Sequence, residues 1–332
     1  MTKPARIVSA VVAAVILLGI AFGVWFWYSA YGDRSKPAAS TRVIIPRGAT
    51  FADVANQLAS SGVIDNAFTF RILGRVRHSD VDVHAGAYRF PPQQTASQVL
   101  QALLTGGAQI AAWVSIPEGF TAIEIAERLH QAGIGQVAAL SHAFLTTPLS
   151  VDGMQTKNLE GYLFPSTYLV PLDATTSQIE KQLTDEFFKQ LPPDAEERAR
   201  ALGVTVPEAV TVASLVEREA KVDADRPMIA GVIYNRLRDH MPLQVDATIE
   251  YALPSHKAEL SFRDLKIDSP YNSYTNDGLP PTPIANPGQP SLEAAFHPSK
   301  TDMLYYVYCG NGHHVFSKTL AEHQANAARC LH

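Results

Sequence analysis

The sequence predicts an α+β protein that is held in a membrane by one N-terminal helix. Three observations lead to this fold class: an uncharged apolar run near the N-terminus, short strand-like segments between helical ones, and a segment that occurs twice. The chain has 332 residues, of which 46% are hydrophobic and 18% are charged. This composition can build one large domain or two to three smaller ones.

The apolar run covers residues 7–28 and contains no charged side chain. A helix rises about 1.5 Å per residue, so this run can cross a hydrocarbon core of about 30 Å. Lys3 and Arg6 precede it, which favours a cytoplasmic N-terminus. A cleaved signal peptide is the alternative, but the run is long for one and no Ala-x-Ala-like site follows. We therefore expect a single-pass anchor at residues 1–32 and a polar linker at residues 33–41.

An internal repeat follows the linker. The segments that begin at Ile45 (IPRGATFADVANQLASSGV) and at Ile116 (IPEGFTAIEIAERLHQAGI) share residues at matching places. Each predicts a strand end, a Pro–Gly turn, a threonine that caps a helix, and a short amphipathic helix closed by glycine. With a strand at Gly86–Phe90, they predict a small α+β module at residues 42–110 and a larger α+β domain at residues 111–332. We expect the repeated segments to hold structure or bind a ligand rather than to carry chemistry.

Several elements of the larger domain follow from apolar spacing. Helices are predicted at residues 173–191, 207–221, 225–239 and 319–328, and a strand is predicted at residues 303–309. Polar and apolar residues alternate along Leu243–Tyr251, which favours a strand or a ligand-facing edge. Residues 269–288 are rich in proline and asparagine but hold two tyrosines. This composition favours a sugar-recognition loop over a disordered linker, with a structural loop as the alternative.

Other features limit the classes of function. The net charge is −5 and no basic run is present, so nucleic acid is not an expected partner. Cys309 and Cys330 match no CxxC spacing, and a disulfide and two free thiols both remain open. His313, His314 and His323 lack a known metal-ligand spacing, so no metal site is expected.

Two carboxylates lie in the segment TVASLVEREA at residues 211–220. Helical spacing places the small residues Ala213 and Ser214 on the same face as Glu217, so that another group could approach it closely. Glu219 follows one step later. A glutamate on a helix is usually a solvated surface residue, and spacing alone leaves the surface reading and the catalytic reading open for both.

Five motifs, taken together and in order, resemble one family. They are LEGYLFPSTY (159–168), ASLVEREA (213–220), VIYNRLRDHMPLQVDATIEYAL (232–253), SPYNSYTNDGLPPTPIANPG (269–288) and GHHVFSKTLAEH (312–323). The chain resembles the endolytic murein transglycosylases, membrane-anchored lytic enzymes that cut the glycan strands of peptidoglycan. The likeness covers nearly the whole chain, and it implies that residues 42–110 form a LysM-like module and that residues 111–332 form the catalytic domain.

The resemblance also implies roles for individual residues. Glu217 is the implied catalytic residue. For Glu219 two readings stay open, a residue that supports Glu217 and a structural ion-pair partner of a neighbouring basic side chain. The residues implied in the substrate groove are Gln244, Asp246, Asn272, Tyr274 and His314. In the implied reaction Glu217 protonates the leaving oxygen of a MurNAc–GlcNAc bond and then takes the proton of the muramoyl 6-hydroxyl, which closes a 1,6-anhydro ring without water. No cofactor and no metal are implied.

Location and partners follow from the same resemblance. It implies nascent peptidoglycan strands as the substrate, a place in the cell (inner) membrane with the catalytic domain outside the cytoplasm, and peptidoglycan synthases as candidate partners. Two alternatives use the same groove. One is a non-catalytic glycan-binding scaffold of cell-wall synthesis, and the other is a hydrolytic muramidase.

Overall fold

The computed structural model describes residues 3–32, 40–78, 83–151, 154–255, 257, 259–310 and 312–330. The predicted linker at 33–41 lies almost entirely outside these residues. The described residues confirm the α+β fold class. They form two compact units, one built from Met1–Trp113 and Leu169–Asp173 and the other from Val114–Tyr168 and Ala174–His332. The return of a later segment to the first unit is a feature that the sequence did not predict.

In chain order the helices and strands are α1 (Lys3–Tyr31), β1 (Thr41–Ile45), α2 (Phe51–Ser60), α3 (Ala67–Val76), β2 (Gly86–Phe90), α4 (Ala96–Thr105), β3 (Gln109–Ser115), α5 (Ala122–Gln131), α6 (Val137–Thr146), β4 (Ser150–Val151), β5 (Met154–Gln155), β6 (Thr167–Pro171), α7 (Thr176–Gln190), α8 (Ala195–Leu202), α9 (Val206–Glu219), α10 (Arg226–Arg238), α11 (Asp246–Ala252), α12 (Gln289–Phe296), β7 (Tyr305–Tyr308), β8 (His314–Ser317) and α13 (Leu320–Cys330). Short 3-10 helices lie at Asp223–Asp225 and Asp264–Lys266.

The N-terminal helix α1 is consistent with the predicted membrane anchor. Its segment Val11–Tyr31 is long and apolar enough to cross a membrane. Most of the large apolar side chains along it are exposed, as expected for a helix whose surroundings are lipid rather than protein. Near the end of the helix Ala30 is fully buried and joins the core of the first unit. The chain therefore has one N-terminal helix that is suited to a single-pass anchor.

The first unit is a small α+β module. Its sheet has the strand order β1-β2-β3-β6, and the β1–β2 and β2–β3 pairs are antiparallel. Helix α2 begins after the predicted cap Thr50, and α4 begins after Thr95 in the same way. The side chain of each threonine accepts a hydrogen bond from the third helical amide. Leu58, Phe70 and Tyr88 are buried in the hydrophobic core of this unit. The likeness of this module to LysM stays a prediction.

The buried helix α9 is the centre of the second unit. Every residue from Ala209 to Val216 is buried, because α10, α11 and α12 all pack against this helix. It begins at a capping box formed by Thr205 and Glu208, with Pro207 in the first turn, where its missing N–H costs nothing. The helix leaves the core only in its last turn, which contains both predicted carboxylates.

The structure confirms the helices predicted around α7, α9, α10 and α13 and the strand at β7. The strand prediction for Leu243–Tyr251 is wrong, since this segment contains the helix α11. Thr248 and Ile249 are buried, and the Thr248 hydroxyl donates to the Val245 carbonyl oxygen at 2.7 Å. The buried residues Val245, Thr248 and Ile249 lie three and four positions apart, which is helical spacing. Over so short a segment, helical spacing and strand alternation are hard to tell apart.

The alternative left open for the cysteines is settled by the structure. Cys309 and Cys330 form a disulfide. It connects the residue after β7 to the last described residue of α13. The antiparallel hairpin of β7 and β8 is thereby linked covalently to the C-terminal helix.

Replacing Phe187 by alanine should destabilise the second unit by about 3–5 kcal/mol, because this side chain is fully buried in its core. Its ring contacts Tyr162 and Phe188 edge-on, so the cavity would also remove two aromatic contacts. Urea denaturation monitored by far-UV circular dichroism measures the change in the free energy of unfolding. The matched control is Phe262→Ala, since Phe262 is 88% exposed and should shift the midpoint little. Equal shifts for both variants would contradict the assigned core.

Candidate active site

A polar cleft of about 620 Å³ opens at the C-terminal end of α9. The residues that line it are Glu118, Gly119, Phe120, Glu124, Glu217, Arg218, Glu219, Ala220, Lys221, Asp246, Ala247, Glu250, Tyr306, Val307, Tyr308 and His314. Six of these carry carboxyl groups and two are basic, so the cleft is acidic. It contains four of the residues predicted for the site, namely Glu217, Glu219, Asp246 and His314.

Glu217 is held by one ion pair and one backbone amide. Its Oε2 accepts a hydrogen bond from Nη1 of Arg226 at 3.2 Å and from the amide of Gly288 at 3.1 Å. The side chain of Glu217 is only 7% exposed, and that of Arg226 is 9% exposed. Arg226 is fixed in turn by Asp223 at 3.0 Å and by a short hydrogen bond to the hydroxyl of Ser291. Within the described residues, Oε1 of Glu217 accepts no hydrogen bond, which leaves it available to a substrate.

Two glycines let the chain approach Glu217 closely. Gly119 has a φ of +75°, and a Cβ at this position would lie 3.6 Å from Cγ of Glu217. The amide of Gly288 reaches Glu217 directly, and a Cβ there would lie 2.0 Å from the carboxyl of Glu118. The turn at Gly119 therefore has the left-handed backbone conformation that favours glycine, whereas a side chain at position 288 would displace the carboxyl of Glu118.

Glu219 occupies a different environment from Glu217. It receives a hydrogen bond from the Tyr306 hydroxyl, and burial raises its pKa to about 7, with a smaller contribution from the negative charge of Asp246. Both carboxylates lie in the last turn of α9, where the helix dipole is negative and disfavours further negative charge. The positive charge of Arg226 offsets this effect at Glu217, whereas the partner of Glu219 is the uncharged hydroxyl of Tyr306.

A smaller cleft of about 340 Å³ shares three residues with the first, namely Glu219, Asp246 and Tyr306. It contains the predicted residues Gln244 and Tyr274. The Tyr274 hydroxyl donates a short hydrogen bond to Asp246. Gln244 has a φ of +53°, a conformation that non-glycine residues rarely adopt and that often marks functional sites.

His314 lies in the wall of the larger cleft and is bonded to Asp225. Its amide and its Nδ1 both contact Oδ2 of Asp225, at 2.7 and 2.9 Å. His313 is largely exposed, and His323 stacks on the ring of Tyr305. Within the part of the chain that the structure describes, no group of three or more His, Cys, Asp or Glu side chains could hold a metal ion.

The structure does not bring Asn272 into either cleft. Its side chain is fully buried, and its amide nitrogen donates to the carbonyl oxygens of Leu265 and Ile267, at 3.2 and 2.9 Å. Its Oδ1 accepts from the Tyr274 amide at 2.9 Å. All of these partners are backbone groups of its own loop. Asn272 therefore shapes the loop that presents Tyr274, and its side-chain amide is engaged by backbone groups.

The motif LEGYLFPSTY contributes a buried carboxyl group that the sequence did not assign. Glu160 is fully buried and accepts hydrogen bonds from the Ala122 amide, the Tyr251 hydroxyl and the Asn286 side chain. Burial raises its pKa to about 7. Asn286 also donates to the Phe120 carbonyl oxygen at 2.9 Å. This network therefore fixes the turn at Gly119–Phe120, which forms part of the cleft wall.

Sequence reasoning also missed Glu118 and Arg226. Glu118 lies in the Pro–Gly turn of the second repeat copy, which was expected to carry no chemistry. The one available signal was the difference between the copies, since the first has Arg47 at the matching place. Arg226 stands beside Pro227 at the start of a predicted helix, a position that predicts a cap rather than a partner for a carboxylate.

Comparison with known proteins assigns the chain to a family. The model of the YceG-like family matches residues 43–329. The chain belongs to the YceG-like family. It is 35% identical over 302 residues to a Bacillus subtilis protein named endolytic murein transglycosylase, covering 86% of this chain and 83% of that protein.

Two further relatives support the YceG-like assignment. A protein of the same name from Streptococcus pneumoniae strain D39 is 29% identical over an alignment of 353 positions, which covers 93% of this chain and 64% of that protein. The crystal structure of a putative yceG-like protein from Listeria monocytogenes superposes with a TM-score of 0.59 at 33% identity. This match covers 87% of this chain and 99% of the other.

The buried Glu160 should make stability depend on pH. Because its pKa is raised in the folded protein, it contributes stability at pH 4.5 that is lost as the pH rises through about 7. The shift corresponds to about 3 kcal/mol. Glu160→Gln should therefore flatten the fall in urea midpoint between pH 5 and pH 8.

The control for this measurement is Glu127→Gln, an exposed carboxylate on α5. Glu219 has a raised pKa as well, so some pH dependence should persist in Glu160→Gln. A wild-type pH dependence in the Glu160 variant would contradict the prediction.

Proposed function

We propose that this chain is an endolytic murein transglycosylase that cuts nascent glycan strands of peptidoglycan. Its substrate would be the MurNAc–GlcNAc glycosidic bond, and its product a strand with a 1,6-anhydro-MurNAc end. The observation that carries the proposal is Glu217, a largely buried carboxylate with one free oxygen at the wall of an acidic cleft. Membership of the YceG-like family and relatives named endolytic murein transglycosylase support it.

The proposed reaction needs two proton transfers. The oxygen that leaves C1 of the muramoyl residue must gain a proton, and the 6-hydroxyl that attacks C1 must lose one. The proton count balances without water, so one carboxyl group can in principle perform both transfers in turn. Glu217 is the proposed carboxyl group. Its fixed partners, Arg226 and Gly288, hold it in place and would keep its free oxygen aimed at the sugar.

The flanking cleft supplies groups suited to binding sugars. Tyr274 and Tyr306 present aromatic rings beside the carboxylates Asp246 and Glu219, and Gln244 adds an amide. Sugars bind proteins through hydroxyl hydrogen bonds and ring stacking, and this combination offers both. We propose that Gln244, Asp246, Tyr274 and His314 contact the glycan strand. Glu219 would support Glu217 from the junction of the two clefts.

We further propose a single-pass topology in the cell (inner) membrane with a cytoplasmic N-terminus. Lys3 and Arg6 precede the apolar helix, which favours this orientation. The Cys309–Cys330 disulfide supports placing the catalytic unit outside the cytoplasm, since such bonds persist in oxidising compartments. Peptidoglycan synthases are proposed partners on the same side of the membrane.

Replacing Glu217 by glutamine should reduce cleavage of purified glycan strands by at least about 100-fold, because the amide cannot transfer the proton. Mass spectrometry of the products measures the reaction and its type. Ends that are lighter than hydrolytic ends by one water molecule support transglycosylation. The matched control is Glu208→Gln at the other end of α9, where glutamine preserves the capping box.

Three other outcomes would count against the proposal. Full activity in Glu217→Gln would show that Glu217 is not the essential carboxyl group. Hydrolytic ends would identify the chain as a muramidase. Intact strands that bind the wild-type protein tightly would identify a glycan-binding scaffold.

A further inference from the structure

A second carboxyl group, Glu118, faces the same cleft as Glu217. It belongs to the turn Pro117–Gly119, and Gly119 packs against the side chain of Glu217. The carboxyl oxygen of Glu118 lies over Gly288, 2.0 Å from where a Cβ would stand, while the amide of Gly288 bonds to Glu217. One glycine thus contacts both carboxyl groups.

The two carboxyl groups differ in their partners. Glu217 is paired with Arg226 and bonded to a backbone amide. Glu118 makes no hydrogen bond and no ion pair with the described residues. A side chain without a structural partner at the rim of a cleft contributes little to folding and remains free to contact a ligand.

The surroundings of Glu118 raise the pKa of its carboxyl group. Partial burial is the largest effect that raises its pKa, and the negative charge of Glu217 is the second. Asp223 raises the pKa of Glu118 further, and Arg226 opposes these effects. Paired carboxyl groups whose surroundings differ in this way commonly divide into one acid and one base.

We propose that Glu118 is a second catalytic carboxyl group, which donates the proton to the leaving oxygen while Glu217 accepts the proton of the 6-hydroxyl. This inference rests on the proposed function and reassigns the first of its two proton transfers from Glu217 to Glu118, which leaves the second with Glu217. The proton of Glu118 goes to the GlcNAc oxygen as its bond to C1 breaks, and the 6-oxygen bonds to C1 as its proton goes to Glu217. The proton then returns from Glu217 to Glu118, directly or through water, once the cleft is empty.

The test compares wild type with Glu118→Gln, Glu118→Asp and Glu217→Gln on purified glycan strands, with Glu127→Gln as the control on the neighbouring helix. Glu118→Gln should lower kcat by about 100-fold or more, with KM changed by less than about threefold and the melting temperature unchanged. Glu118→Asp should recover part of the lost rate, because it restores a carboxyl group.

The pH profile separates catalysis from structure. In the wild type, kcat/KM should fall with rising pH as Glu118 loses its proton, and the residual rate of Glu118→Gln should lack this fall. A Glu118→Gln variant that keeps most of its activity while Glu217→Gln is inactive would overturn this inference alone. A loss of activity with a lowered melting temperature and an unchanged pH profile would also overturn it. A wild type that leaves strands intact would instead reject the proposed function.

Discussion

The shape of the cleft depends on a buried hydrogen-bond network between Glu160 and Asn286. Asn286 uses every polar group of its side chain, since Oδ1 accepts from the amides of Gly161 and Leu163 while Nδ2 reaches Phe120 and Glu160. Unsatisfied polar groups at this depth would be costly, so the network holds only when it is complete. It ties together segments more than 100 residues apart in sequence. The turn that approaches Glu217 is thereby held against the core.

The end of α9 provides a reason for the arrangement of charges in the cleft. A helix that is buried on all sides must place polar residues where it leaves the core, and α9 does so in its last turn with two glutamates. The partial negative charge of the helix end then requires compensation. Arg226 provides it for Glu217, and Arg226 is itself held by Asp223 and Ser291. Groups fixed in this way need little reorganisation during a reaction, which is how preorganised sites stabilise transition states.

Local chemistry allowed much of the fold to be predicted. Threonine caps, the Pro–Gly turns and apolar spacing located the helices, because these signals act within a few residues. The strand predicted at Leu243–Tyr251 was wrong because seven helical residues are too few to separate the two periods. For the site, Glu217 and Asp246 followed from the resemblance, but their neighbours Gly288 and Tyr306 come from distant segments. The position of Asn272 was also not predictable from the sequence, since its side chain donates hydrogen bonds to backbone carbonyl oxygens of the loop.

The internal repeat has an evolutionary consequence. Gly48 and Gly119 have the same φ of +75°, so the turn geometry is retained in both copies. Nothing lies within 4 Å of a Cβ built on Gly48, whereas Gly119 packs against Glu217. The two copies differ at the preceding residue, which is the basic Arg47 in one and the acidic Glu118 in the other, so the same backbone turn carries side chains of opposite charge. Duplication thus offers a route by which a purely architectural turn becomes part of a reactive surface.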